Sequence, residues 1–460
     1  MAFTPELAEI RFGFGLSPRL SPVASTEAML DGLSGSDTMR KRYPIEGFDT
    51  FRERMIRARQ IRRGMRETRG TSEFETWRKK RNVLNKAARE DMVHWMALSM
   101  LRCTHTQTGF RERLVHFWAD HFTARGKRGV IRRATSPFVE DAVRPNVGAS
   151  FADLLIASVT HPVMQQYLDQ DSSIGDNSVR AVKRGRGGLN ENLAREILEL
   201  HTLGVSGPYS QGDVRELAEL LTGLSFQPEN GFKFRKDFVE PGPETVLGQT
   251  YHSDPPSMEP IRTVLQDLAV HPATASHLSR KLAVHFVSDS PEPDLVEHMT
   301  ARYTDTEGDL LAVYAAMLEH PAAWSLERRN VKTPVEFVGS ACRALDVPDS
   351  PLREMEEKHL RRYIFLPLVQ MGQRWQAPAG PDGWPEADEA WITPQGISGR
   401  LQWAMEGPRA LLPDLPDPRV FVVDALGSYA SDAVRFAAGA AESRHEAIGL
   451  VLASPAFQRR

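Results

Sequence analysis

The amino-acid sequence predicts a mainly α fold: one large multi-helix domain carrying one small β-hairpin. Three observations predict it. Apolar residues recur at helical spacing over long stretches, most clearly at 71–104, where Trp77, Val83, Leu84, Ala87, Met92, Trp95, Met96 and Leu101 keep the period. A strand signal is confined to 226–238, where Asn230-Gly231 marks a tight turn between FQP and FKFRKDF. Neither a repeat of fixed period nor a coiled-coil heptad runs through the chain.

Taken in order, residues 1–45 read as a short helix, a Gly/Pro turn at Gly13–Pro18 and a second helix around Ser25–Gly35. Residues 46–69 form an arginine-dense helix, and 71–104 a long one. Helices follow at Arg111–Phe122, Ser136–Val143 and Phe151–Leu168, with a basic loop, Arg125–Arg133, after the first. Asp169–Gly188 reads as a polar, Gly-rich loop that opens with acids and ends with bases. The helix Leu189–Gly204 comes next; Asn190 or Asn192 can cap its start and Gly204 can end it. Tyr209–Asp213 opens a helix to Leu221, with Ser210 and Asp213 at capping-box spacing. Beyond the hairpin, helices are predicted at 259–270, 273–287, 292–303, 307–319 and 332–345. The Trp/Pro/Gly-rich stretch 374–396 reads as an ordered lid or packing loop, because its tryptophans favour burial. The tail is helical through Leu452. The chain thus reads as a single helical domain, 1–460. Residues 1–105 form an N-terminal layer, 106–345 a core with the Leu189–Gly204 helix, and 346–460 a C-terminal cap with the Trp-rich loop.

Composition bounds the function. At 460 residues, 41% hydrophobic and 25% charged, the chain is ordinary globular protein. A net charge of −3 argues against a global nucleic-acid or membrane field. The two cysteines, Cys103 and Cys342, fall in apolar helical contexts and read as buried small hydrophobes. No run approaches the ~18 apolar residues of a transmembrane helix. The start lacks a basic segment followed by an apolar one, so the sequence reads as cytoplasmic.

Candidate chemistry gathers on Leu189–Gly204. Leu193, Ile197, Leu198 and Leu200 form its apolar stripe, while Asn192, Glu196 and Glu199 share one face. Two carboxylates at that spacing, with a histidine from another helix, suit general acid/base work or a divalent metal. His121, at the end of the apolar WADHF stretch, is the histidine expected as ligand or base. A paired structural network, with Arg195 and Glu199 at i, i+4, is the competing reading. Lys183, Arg184 and Arg186, running toward Asn190 and Asn192 at the helix start, are the expected anion clamp. Asp169, Asp171, Ser173 and Asp176 alternate like a hard-cation loop, although the spacing of a helix–loop–helix calcium site fails. No known nucleic-acid module, zinc signature or nucleophile elbow is visible.

Several stretches together carry a resemblance. They are RFGFGLSP near the start, WADHF at 118–122, NENLAREILELHTLG at 190–204, YSQGDVRELAELLTG at 209–223, GPETVLG at 242–248, HPATASHLSRKLAVHF at 271–286, MGQRWQAPAGPDGWPE at 371–386 and SPAFQRR at the end. The sequence resembles the bacterial domain-of-unknown-function family numbered eighteen hundred over nearly its whole length, with NEN-x-x-RE-x-x-EL-H as the specific signature. The resemblance implies no activity. It implies that members often look exported and are often encoded beside a family similar to alkaline phosphatases and sulfatases. This sequence departs from the pattern in lacking an export signal, in Val239 where the family often has histidine, and in Glu244 where it has lysine. Two functions are therefore expected. One is a metal-assisted or acid/base hydrolase of an anionic or polymeric substrate, using Glu196, Glu199 and His121. The other is a non-catalytic helical scaffold for a phosphatase- or sulfatase-like protein partner.

Overall fold

The computed structural model describes residues 3–460. Its helices pack around two hydrophobic cores. The first runs from Leu7 to Trp324 in the sequence and takes the buried faces of Gly109–His121, Phe151–Thr160, Gln211–Leu220, Pro272–Phe286 and Leu310–Glu319. The second is built from Pro334–Ala344 and the elements that follow it to Phe457. The Glu73–His105 helix serves both: Ala88 and Trp95 enter the first core, and Val93, Met96, Ala97, Met100 and Leu101 the second. A helix buried on both sides cannot keep a narrow apolar stripe, which is why its last turns read apolar all round.

The mainly α prediction holds, and so does the hairpin. β1 (Leu224–Gln227) pairs antiparallel with β2 (Gly231–Phe234), and Gly231 takes the left-handed φ of 72° that the turn needs. A second hairpin, β3 (Glu244–Val246) with β4 (Gln249–Tyr251), lies in the stretch expected only to lead into helices. Its two turn residues, Leu247 and Gly248, both have positive φ, the geometry that matches strand twist. The Ser210–Asp213 capping box forms as expected, and Asp213 also accepts from the Leu247 backbone N–H at 2.7 Å, fastening this hairpin to the Gln211–Leu220 helix.

Three boundaries move. The 151–168 helix is two, Phe151–Thr160 and Pro162–Tyr167, because a proline cannot continue the first. The 169–188 loop contains a helix, Val179–Arg184, and closes through a bridge between Ile174 and Gly188. The 189–204 helix is shorter, Asn192–Glu196, and widens into a π turn at Ile197–His201. Asn190 caps from outside it, accepting from the Asn192 N–H at 3.0 Å. Arg195 pairs with Glu191 at 3.2 Å rather than with Glu199.

Candidate active-site cavity

Glu112, His116 and Asp120 stand at i, i+4 and i+8 on the Gly109–His121 helix, so they share one face. All three line a cavity of about 110 Å³ at the meeting of the two cores. Facing them are His285 from Pro272–Phe286, Glu336 from Pro334–Ala344, Gln373 just before the Trp-rich loop, and Trp375, Trp384 and Glu386 from the loop itself.

One wall is a closed ion-pair network. Arg102 meets Glu140 at 2.5 Å, and Arg144 bridges Glu112 at 2.5 Å, Asp37 at 2.8 Å and Glu140 at 3.4 Å. Each charge is answered by another, which is the condition for burying them. A second network lies behind His285. Glu336 accepts from the Thr333 backbone as the glutamate of a capping box, and its carboxylate also meets Arg113 at 3.0 Å and Arg460 at 3.1 Å. Burial alone would raise this carboxyl, but the two guanidinium groups overcome it and hold Glu336 down at about 2.

The remaining titratable groups sit between these walls. Asp120 accepts from the Trp384 N–H at 2.9 Å and 3.1 Å. Burial, opposed by that hydrogen bond and reinforced by Glu386, pushes Asp120 up to about 7. Glu386 lies two residues further along the same loop and accepts from His285 Nδ1 at 2.9 Å. Burial works against its charge too, yet His285, Arg460 and Lys281 bring Glu386 below the usual range. Arg113 donates to His285 Nε2 at 3.1 Å, so this imidazole carries its proton on Nδ1. His116 makes ring contacts with Phe14 and Trp375, and burial lowers it to about 4, which keeps it neutral.

The residues expected from the sequence are distributed around this cavity rather than within it. His121 points away from it: Nδ1 accepts from Lys281 at 3.1 Å, which leaves the proton on Nε2 to donate to the His201 carbonyl at 3.2 Å. Burial and then Lys281 lower His121 well below its ordinary value. Glu196 and Glu199 are half-buried. Burial, with Glu199 and Asp382 adding repulsion, raises Glu196 to about 7. Glu196 does not line the cavity. Among the described residues the structure does not gather His121, Glu196 and Glu199 into one three-ligand set. Lys183, Arg184 and Arg186 are exposed on and just after the Val179–Arg184 helix, Asn190 spends its amide on the Leu168 carbonyl, and Asn192 is exposed. The Asp169–Asp176 acids disperse: Asp169 pairs with Lys127, and Asp171 with Gln166.

Sequence reasoning passed over Asp120, His285, Glu336 and Glu386. Two signals point to the first two: Glu112, His116 and Asp120 recur at i, i+4 and i+8 on one helix, and Lys281 and His285 stand at i, i+4 on another.

Fold and cavity together define a large helical protein with a polar, titratable interior. The chain belongs to the family described as Protein of unknown function (DUF1800), whose family model matches residues 9–459. No curated protein and no solved structure matches the chain.

Proposed function

We propose that the protein is an acid/base hydrolase whose working groups are Asp120 and Glu386. The observation that supports this is the separation of two carboxyl groups in one cavity. Asp120 is pushed up to about 7 and so holds a proton to donate, while Glu386 stays ionised. Environments that drive two acids apart in this way assign the donor and the base. Asp120 would protonate a leaving group. Glu386, oriented by His285, or the neutral His116 would take the proton from an attacking water. The cavity holds one small group, so a polymer would present an end or a side group to it. The exposed Lys183–Arg186 stretch does not line it; the cations that do, Arg102 and Arg144, are both paired with buried acids.

The test is a panel of chromogenic esters, glycosides and phosphoesters, run from pH 5 to 9 with wild type, Asp120→Asn and Glu386→Gln. Wild type should cleave one class, its rate falling as pH rises through about 7. Each variant should lose on the order of 10²–10⁴-fold while keeping its helical circular dichroism. A substrate cleaved equally by wild type and Asp120→Asn defeats the assignment.

A second reading, the helical scaffold, is supported by the hairpin of helices Phe48–Glu67 and Glu73–His105. Its exposed end, residues 57–86, carries eleven Lys and Arg against three Glu. Such a surface suits an acidic protein partner, the phosphatase- or sulfatase-like neighbour being the one the family resemblance offers. Co-purification at low salt that is lost at high salt would support it; no complex at low salt would remove it.

A further inference from the structure

Glu216 and Glu219 stand one helical turn apart on Gln211–Leu220, facing β3. The third member of the group, Glu244, comes from β3 itself. One ligand oxygen from each of the three lies within 4.8 Å of the others. The outer two are partly answered by donors. Glu216 accepts from the Thr245 N–H at 2.7 Å, and Glu219 pairs with Arg215 at 3.0 Å. Glu244 is buried, at 6% exposure, and the side chains its carboxyl meets are the other two acids, Glu216 and Glu219, with no cation among them. A carboxylate taken out of water with no cation beside it is costly. Here it is turned toward two further carboxylates, which worsens the cost unless something positive sits among them.

We infer that Glu216, Glu219 and Glu244 form a divalent-cation site of the calcium or manganese class, clamping the β3–β4 hairpin to the Gln211–Leu220 helix. The chemistry is that of a hard ion: three carboxylate oxygens, no sulfur and no imidazole in the set. The spacing is compatible with one ion, since two oxygens bound to one calcium at about 2.4 Å can stand no more than about 4.8 Å apart. A cavity of about 270 Å³ adjoins the group, lined by Glu219 and Glu244 with Tyr251, His252, Ser253 and Asp254. It gives water access to the remaining coordination positions. This inference is independent of the hydrolase reading, since none of its residues lines the Asp120 cavity.

The full chain, stripped with a chelator, is titrated with CaCl2, MnCl2 and MgCl2 and followed by calorimetry and thermal melting. Wild type should show one-site binding heat and a saturable rise of several degrees with calcium or manganese. Glu244→Gln should lose both responses. Without metal it should melt above stripped wild type, because an amide can donate to Glu216 and Glu219 where a carboxylate cannot. Glu219→Gln serves as the second variant and should weaken the metal response at least tenfold. The inference is overturned if no cation produces heat or a shift in wild type, or if both variants respond as wild type does. It is equally overturned if Glu244→Gln stabilises the protein while wild type ignores every cation, which would assign the group to a shared proton.

Discussion

Replacing Asp120 by asparagine should make the protein more stable at pH 8 and leave it unchanged at pH 4. Burial and the field of Glu386 raise this carboxyl from 3.8 to about 7. The unfolded chain therefore releases the proton near pH 4, and the folded protein holds it until about pH 7. Across that window the folded state binds more protons, so stability falls as pH rises and the full penalty is present above about pH 7. Three pH units at ~1.4 kcal/mol each make that penalty about 4 kcal/mol. Asparagine carries no charge and escapes it. Its amide oxygen still accepts from the Trp384 N–H, a bond whose effect is already contained in the raised value. The net expectation is a gain of about 4 kcal/mol at pH 8, vanishing by pH 4. Urea unfolding of both proteins by circular dichroism at the two pH values measures it. An equal offset at both, or a loss at pH 8, would show that Asp120 is an ordinary ionised carboxylate and would refute the reasoning. Stability gained and activity lost in one variant is the signature of a group kept for chemistry.

Two further outcomes follow from the same walls. Glu336→Gln leaves Arg113 and Arg460 buried without their anion and should cost roughly 3–5 kcal/mol at neutral pH. Because the folded value is depressed to about 2, the wild-type contribution is fully present above about pH 4.5 and disappears as pH falls through 2; a variant within ~0.5 kcal/mol of wild type at pH 7 contradicts this. Gly383→Ala places a Cβ 2.5 Å from Asp120 Oδ2 at a φ of +83°, so it should break the Trp384–Asp120 hydrogen bond and speed exchange of the Trp384 amide proton. Unchanged exchange would show that the loop tolerates the methyl group.

The helices were legible because local patterns make them: the apolar period of 71–104 and the Ser210–Asp213 box are statements about neighbours in sequence. The hairpin at Asn230-Gly231 was legible for the same reason, while β3–β4 was missed because Leu247 is an unusual residue for positive φ. The site was harder. Glu196 and Glu199 drew notice by sharing a helix turn, and Glu196 does have an elevated pKa. The cavity, however, is assembled from segments as distant as Asp120 and Trp384, 264 residues apart. What raises the Asp120 carboxyl is chiefly burial, and that has no trace at position 120 itself. His121 looked like a ligand because it ends an apolar helix, yet both of its nitrogens are occupied by Lys281 and a carbonyl.

The Trp-rich loop is latched along its length. Gln376 takes the Ser136 hydroxyl, the Pro378 carbonyl takes Arg125, Asp120 holds Trp384, Glu386 holds His285, and Asp388 accepts from the Val331 N–H. Releasing it whole would sacrifice about five such bonds at ~1 kcal/mol apiece, leaving it undone in roughly one molecule in several thousand. The loop is therefore a fixed wall: Asp120 and His285, borne by different helices, are held in register by one segment that carries no long helix of its own.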